Sequence, residues 1–205
     1  MYLMKYFILF MRRKIVSSDI QKRFFKSISE KVNPDIIETL EGKRLTIIEE
    51  NKQSSNRKVN ITHLSEAKAF KLDKQPRSIY LFKECTKVND ELIIKLDKSG
   101  KLIIFIIEMK SNDYKAAFKQ INYGKEYADF LIGILEKEMD HKFKDREYRG
   151  YIFTSHANAK KPISKEKSIS CKKMDDVYVK VFSCNADYHF KYLSLPVVIQ
   201  NKITR

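Results

Sequence analysis

The stretch that most constrains the fold is the apolar run LIIFII, which ends abruptly in Glu108-Met109-Lys110. The turn formers DKSG come before it, and before them the apolar-rich segment NDELIIKL. Together they predict a hairpin from Asp90 to Lys110, folded about Asp97–Gly100. Strand side chains alternate between faces, so Glu108 and Lys110 point one way while Ile107 and Met109 point the other. Folding about that turn sets Asp90 opposite Ile107, one residue from Glu108. Two carboxylates and a lysine then share one end of a strand pair, a set able to bind a divalent cation through oxygen with an ammonium beside it. Glu91 takes the place of Asp90 if the register slips by one. Asp97 belongs to the turn, on the order of 26 Å away at strand rise. The plain alternative is an Asp–Lys–Glu salt-bridge cluster capping a sheet end.

A chain of 205 residues with 43% hydrophobic composition is long enough for one globular domain with a substantial core. Its net charge of +15, from 41 Lys and Arg against 26 Asp and Glu, favours a polyanionic partner such as nucleic acid or an acidic membrane surface. Cys85, Cys171 and Cys184 form no Cys-x-x-Cys pair, so neither a zinc site nor a disulfide framework is indicated and a reducing cytoplasm fits. The apolar start MYLMKYFILF is half the length of a spanning helix, and most of its positive charge follows rather than precedes it. A buried strand or helix is expected there and no membrane anchor; translation from Met11 stays open.

Along the chain, Ser17-Ser18-Asp19 start a helix in which Ile20, Phe24, Ile28 and Val32 recur every four residues, ending near Pro34. A short helical turn over Asp35–Glu41, a strand over Arg44–Glu50 and a polar loop over Asn51–Arg57 follow. Thr62–Leu72 reads as a helix and Ser78–Cys85 as a strand. After Lys110, the cap cluster Ser111-Asn112-Asp113 opens a long helix to about Lys137, with Ala117, Ile121, Gly124, Ala128, Leu131 and Leu135 in one stripe. Gly124 costs about 1 kcal/mol against alanine in mid-helix, which points to a packing reason. Glu136–Glu147 reads as charged and solvated, Gly150–Ser155 as a strand, Asn158–Lys173 as a basic loop and Asp176–Phe182 as a strand. The tail around Val197-Val198-Ile199 packs at an edge. His63, His141, His156 and His189 are scattered without metal-ligand spacing, and no phosphate-binding Gly-rich loop or nucleophile elbow is present.

The order helix, strand, hairpin ending in Glu-x-Lys, helix, strand resembles the core of the PD-(D/E)XK nuclease superfamily over roughly residues 62–155. The resemblance implies an α/β fold with a restriction-endonuclease-like core, a central mixed β-sheet flanked by helices. It implies one domain, 1–205, with an N-terminal elaboration over 1–61, the core over 62–155, and a basic loop and edge strand over 156–205. By the same resemblance Asp90 and Glu108 would hold Mg2+ or Mn2+ with the backbone carbonyl of Met109, and Lys110 would position or activate the attacking water. Gln120 stands where some members carry a helix glutamine, and Glu66 is the candidate for a further metal-binding glutamate. Asn89 departs from the pattern, where many members have proline.

Such a site would serve a metal-dependent nuclease hydrolysing phosphodiesters, DNA preferred, in restriction, repair or phage defence. Substrate affinity would come from Lys115, Lys119 and Lys125 on the helix, and from Lys160, Lys161, Lys165, Lys167, Lys172 and Lys173 in the late loop, through salt-dependent contacts blind to sequence. Tyr114, Tyr123 and Tyr127 could stack on bases, though core packing is the commoner role. The alternatives are a nuclease-fold protein that binds or scaffolds nucleic acid without catalysis, and a membrane-surface protein. A homodimer or a partner protein stays open.

Overall fold

The computed structural model describes residues 18–49, 57–72, 89–110, 114–155 and 167–200. In chain order these form a helix over 18–31 (α1), a 3-10 turn Pro34–Ile36, and strands Leu45–Ile48 (β1), Lys58–Thr62 (β2), Ala67–Lys71 (β3), Glu91–Leu96 (β4) and Leu102–Lys110 (β5). The helix Tyr114–Met139 (α2) follows, then strands Arg146–Thr154 (β6), Ile169–Met174 (β7), Val177–Ser183 (β8) and Ala186–His189 (β9), one helical turn Phe190–Leu193 (α3) and strand Val197–Ile199 (β10).

Seven strands make a mixed sheet in the order β10-β7-β8-β6-β5-β4-β3, and β1-β2-β9 make a second, smaller one. The apolar run becomes β5 because both of its faces are covered, and a doubly covered strand has no polar side to present. Leu102, Ile104 and Ile106 pack with Phe24 and Ile28 of α1 and with Ala117, Ile121, Ala128, Ile132 and Leu135 of α2. On the opposite face Ile103, Phe105, Ile107 and Met109 pack with Leu45, Ile47, Val59, Ile61, Tyr188 and Phe190 of the small sheet and α3. The protein is therefore a layered α/β structure, with α1 and α2 on one side of the main sheet and the small sheet and α3 on the other. No described helix is long and apolar enough to cross a membrane.

The parallel pairs β5–β6 and β6–β8 need a crossover, and α2 supplies the one between β5 and β6. Arg149 of β6, 2% exposed, ties the end of the chain down: its Nη1 donates to Leu193 O and Leu195 O, both at 2.8 Å, and its Nη2 pairs with Glu147 Oε1 at 2.5 Å.

Several expectations give way. The helix expected over Thr62–Leu72 is strand β3, held antiparallel to β4 with Phe70 opposite Leu92. Its alanine-rich composition favours helix, but the ladder bonds and burial of Ala69 and Phe70 on opposite faces decide otherwise. Strand β2 begins directly after the loop read over Asn51–Arg57, in residues 58–61, for which the sequence reading names no element. Strand β6 begins at Arg146, inside the stretch read as solvated, because its charges are paired: Arg146 with Asp129 and Glu136, and Glu147 with Lys101 and Arg149. The basic stretch before Met174 ends as strand β7, with Ile169 and Cys171 buried and Lys172 and Lys173 exposed. The strand expected over 78–85 and the apolar residues 1–10 lie outside the described residues. The tail strand β10 does sit at the sheet edge.

Candidate metal centre

The hairpin brings its acidic groups to one rim of the main sheet, one residue out of the expected register. Glu91, not Asp90, stands opposite Ile107, so the next position along sets Asp90 against Glu108. The cause is the turn. Asp97 Oδ1 accepts hydrogen bonds from Ser99 N at 2.8 Å and Lys101 N at 3.0 Å, and Asp97 N donates to Lys101 O at 3.0 Å. Asp97 and Lys101 therefore close a three-residue loop, with Gly100 at φ 87°, instead of the four-residue turn read from DKSG.

That register puts Glu91 on the opposite face from Glu108. Glu91 is 1% exposed and shares its face with Ile93 and Ile107, whereas Glu108 follows Ile106 on the helix side. Asp90 just precedes β4, and its Oδ2 accepts a hydrogen bond from Met109 N at 2.6 Å. The side chain so takes the place of a ladder partner. In an extended strand a residue's N–H and C=O leave on the same edge, so the Met109 carbonyl also faces the β4 side.

Glu108 is completely buried, and Lys110 Nζ stands 2.7 Å from its Oε1. That ammonium aside, neither Glu108 oxygen meets a donor in hydrogen-bond geometry among the described residues. Burial, and next the Asp90 carboxylate, push the Glu108 pKa up to about 8, against the pull of Lys110. At neutral pH and without a cation, Glu108 is thus largely protonated. A proton on Glu108 spares the two adjacent carboxyls their mutual repulsion and leaves one negative charge on Asp90.

Helix α2 approaches this rim closely. A β-carbon on Gly124 would overlap Asn89 Oδ1 and stand 2.6 Å from Ile106 Cγ2. Asn89 is fully buried and its Nδ2 donates to Glu91 O at 2.6 Å, fixing the backbone that carries Asp90. Gln120 is one helical turn, about 5.4 Å, before Gly124 and toward the Lys110 end of β5; it is 8% exposed. The structure so brings Asp90, Glu108, Met109 and Lys110 together, with Gln120 on the helix above.

Glu66 is not part of this group. It precedes β3 with φ 57°, beside Ala67, which pairs with Lys95, whereas Lys71 pairs with Glu91. Five residues of strand, about 17 Å, separate it from the level of Glu91 beside the acidic rim. The proposed glutamate role failed because it assumed a helix. Of the basic candidates, Lys119 is exposed on α2, its ammonium 5.5 Å from the Tyr123 ring. Lys125 is engaged by Asp129 at 3.2 Å, within a group that also joins Arg146 to Asp129 and Glu136. The Lys115 side chain, Lys160 and Lys161 lie outside the described residues. Tyr127 packs against the helix-side core.

Among the described residues, no group of three or more His, Cys, Asp or Glu side chains is placed to hold a metal. Two carboxylates and a carbonyl remain a fitting set for Mg2+, which keeps several waters and takes one or two carboxylates. The buried Glu108 carboxyl, with its charge held off by a proton, is the feature that a cation would relieve.

Sequence reasoning missed the pairing of His63 with His189. Parallel pairing of β2 and β9 sets Thr62 against His189, and the rings of His63 and His189 stack with centroids 4.1 Å apart. No local spacing could have announced it.

Fold and rim together define an α/β protein whose mixed, helix-flanked sheet carries an acidic pair and a lysine at the end of the interior strand β5. No protein-family model, curated protein or solved structure matches the chain.

Proposed function

We propose that the chain is a metal-dependent nuclease, hydrolysing phosphodiester bonds of nucleic acid with Mg2+ or Mn2+ and preferring DNA. The observation that carries this reading is the fully buried Glu108 carboxyl beside Asp90, with Lys110 2.7 Å away. A bound divalent ion would neutralise a non-bridging phosphate oxygen and lower the pKa of a coordinated water. Asp90, Glu108 and the Met109 carbonyl would hold it. Lys110 places positive charge where the attacked phosphate gathers negative charge. Gln120, on the neighbouring turn of α2, would orient water or substrate. The charge of +15 supplies affinity for a polyanion.

The test is cleavage of plasmid, linear duplex, single-stranded DNA and RNA in Mg2+ and in Mn2+. Asp90→Ala, Glu108→Ala and Lys110→Ala should each abolish it, by about a hundredfold or more if each acts in the chemical step. Unaltered cleavage in all three variants overturns the assignment.

One observation favours a second reading, a nucleic-acid-binding or scaffolding protein without catalysis. The Glu108 charge can be met without any metal, either by the Lys110 ammonium or by a proton. Binding that survives chelation, with no cleavage in Mn2+, selects that reading.

A further inference from the structure

On the other face of the main sheet, toward the far end of β4, lies a cleft of about 520 Å3. It is lined by Lys43, His63, Ser65, Lys95, His189 and Lys191, with an apolar wall that includes Phe190. Among the described residues no carboxylate lines it. These groups come from separate parts of the chain. Lys43 lies in the turn before β1, His63 just after β2, Lys95 in β4, and His189 and Lys191 at the β9–α3 junction.

Lys95 is the telling residue. It is half-buried on the inner face of the sheet, and no hydrogen bond or ion pair reaches it from the described residues. Its ammonium stands 5.5 Å from the centre of the Phe190 ring. Removing an ammonium from water without a partner is costly. Burial lowers its pKa, while Glu66 and Asp97 act on it from a distance in the opposite sense.

The imidazoles add directed donors. His189 Nδ1 accepts from Lys191 N at 3.1 Å, so in the neutral ring the proton is on Nε2, which is left to donate. His63 stacks on it, with its own Nδ1 3.1 Å from Thr62 Oγ1. The backbone here is unusual as well. Lys43 at φ 65° and His63 at φ 59° are non-glycine residues in the left-handed region, and Leu64 N ties the two turns by donating to Lys43 O at 2.9 Å.

We propose that this cleft is a binding site for a small phosphate-bearing ligand, its oxyanion held by Lys95, His189 and the flanking Lys43 and Lys191. The size suits a small molecule, and the ring of Phe190 offers an apolar wall beside the cations. The proposal does not rest on the nuclease reading, which concerns the opposite face and the other end of the hairpin.

Calorimetric titration of the full chain at fixed ionic strength, with inorganic phosphate, a nucleoside monophosphate and its parent nucleoside, tests it. Both phosphates should bind saturably and the nucleoside should not. Tighter binding of the monophosphate assigns the site to nucleotides, and equal binding assigns it to phosphate itself. Lys95→Gln and His189→Gln should each weaken binding about tenfold. Glu66→Gln, which removes an opposing charge, should tighten it. Lys144→Gln, in a different cleft, should leave it unchanged. Thermal melting confirms that each variant is folded. The proposal is overturned if neither phosphate binds below roughly 10 mM, or if Lys95→Gln and His189→Gln bind as Lys144→Gln does.

Discussion

A carboxyl buried as Glu108 is buried makes the folded state a better proton acceptor than the unfolded chain. Its pKa, pushed up to about 8, exceeds the ordinary glutamate value of about 4.3. Stability from this group is complete below the lower value and is lost as pH rises through the higher one. In chelator, the melting temperature should therefore fall between pH 5 and pH 9, and Glu108→Gln should flatten that fall. At pH 8 a divalent ion should raise the melting temperature of the wild type and release protons on binding. Equal slopes in wild type and Glu108→Gln would remove Glu108 from any such linkage. That Glu108 and Lys110 share a face was legible in the sequence, because strand alternation depends on nothing distant. The exact partner of Ile107 was not, since it turned on how Asp97 bonds to Ser99 and Lys101.

At the scale of elements, α2 and the start of β4 are fitted to each other at Gly124. Helix propensity alone says that Gly124→Ala stabilises by about 1 kcal/mol. The overlap with Asn89 Oδ1 and Ile106 Cγ2 says the reverse, with overpacking costs of about 1–3 kcal/mol. Asn89 is held by Glu91 O and Ile106 sits in the interior strand β5, so neither yields cheaply. Chemical denaturation should show Gly124→Ala to be less stable than wild type, and a more stable variant would refute the contact. The packing role of this glycine was readable from its place in an apolar stripe. The strand nature of β3 was not, because Ala67, Ala69 and Phe70 suit either period and only pairing with β4 decides. The same limit hid the acidic rim's distance from Glu66 and the meeting of His63 with His189.

For the whole molecule, the excess of positive charge sets how a polyanion would be met. If the proposed nucleic-acid partner is held by lysines such as Lys119 on the open face of α2, affinity for unrelated duplexes should fall together by about tenfold or more between 50 and 200 mM salt. Fluorescence anisotropy measures this, and a change of less than about threefold would argue against phosphate contacts. The small sheet carries a different consequence. Strand β2 is completed by β9, and Asn60 Nδ2 donates to Asp187 Oδ1 at 2.6 Å across 127 positions. During synthesis, β1 and β2 emerge long before the segment that completes their sheet. A nascent chain therefore leaves the β2 edge of that hairpin without its β9 partner until residues near 189 clear the ribosome, and completion of the small sheet is a late event.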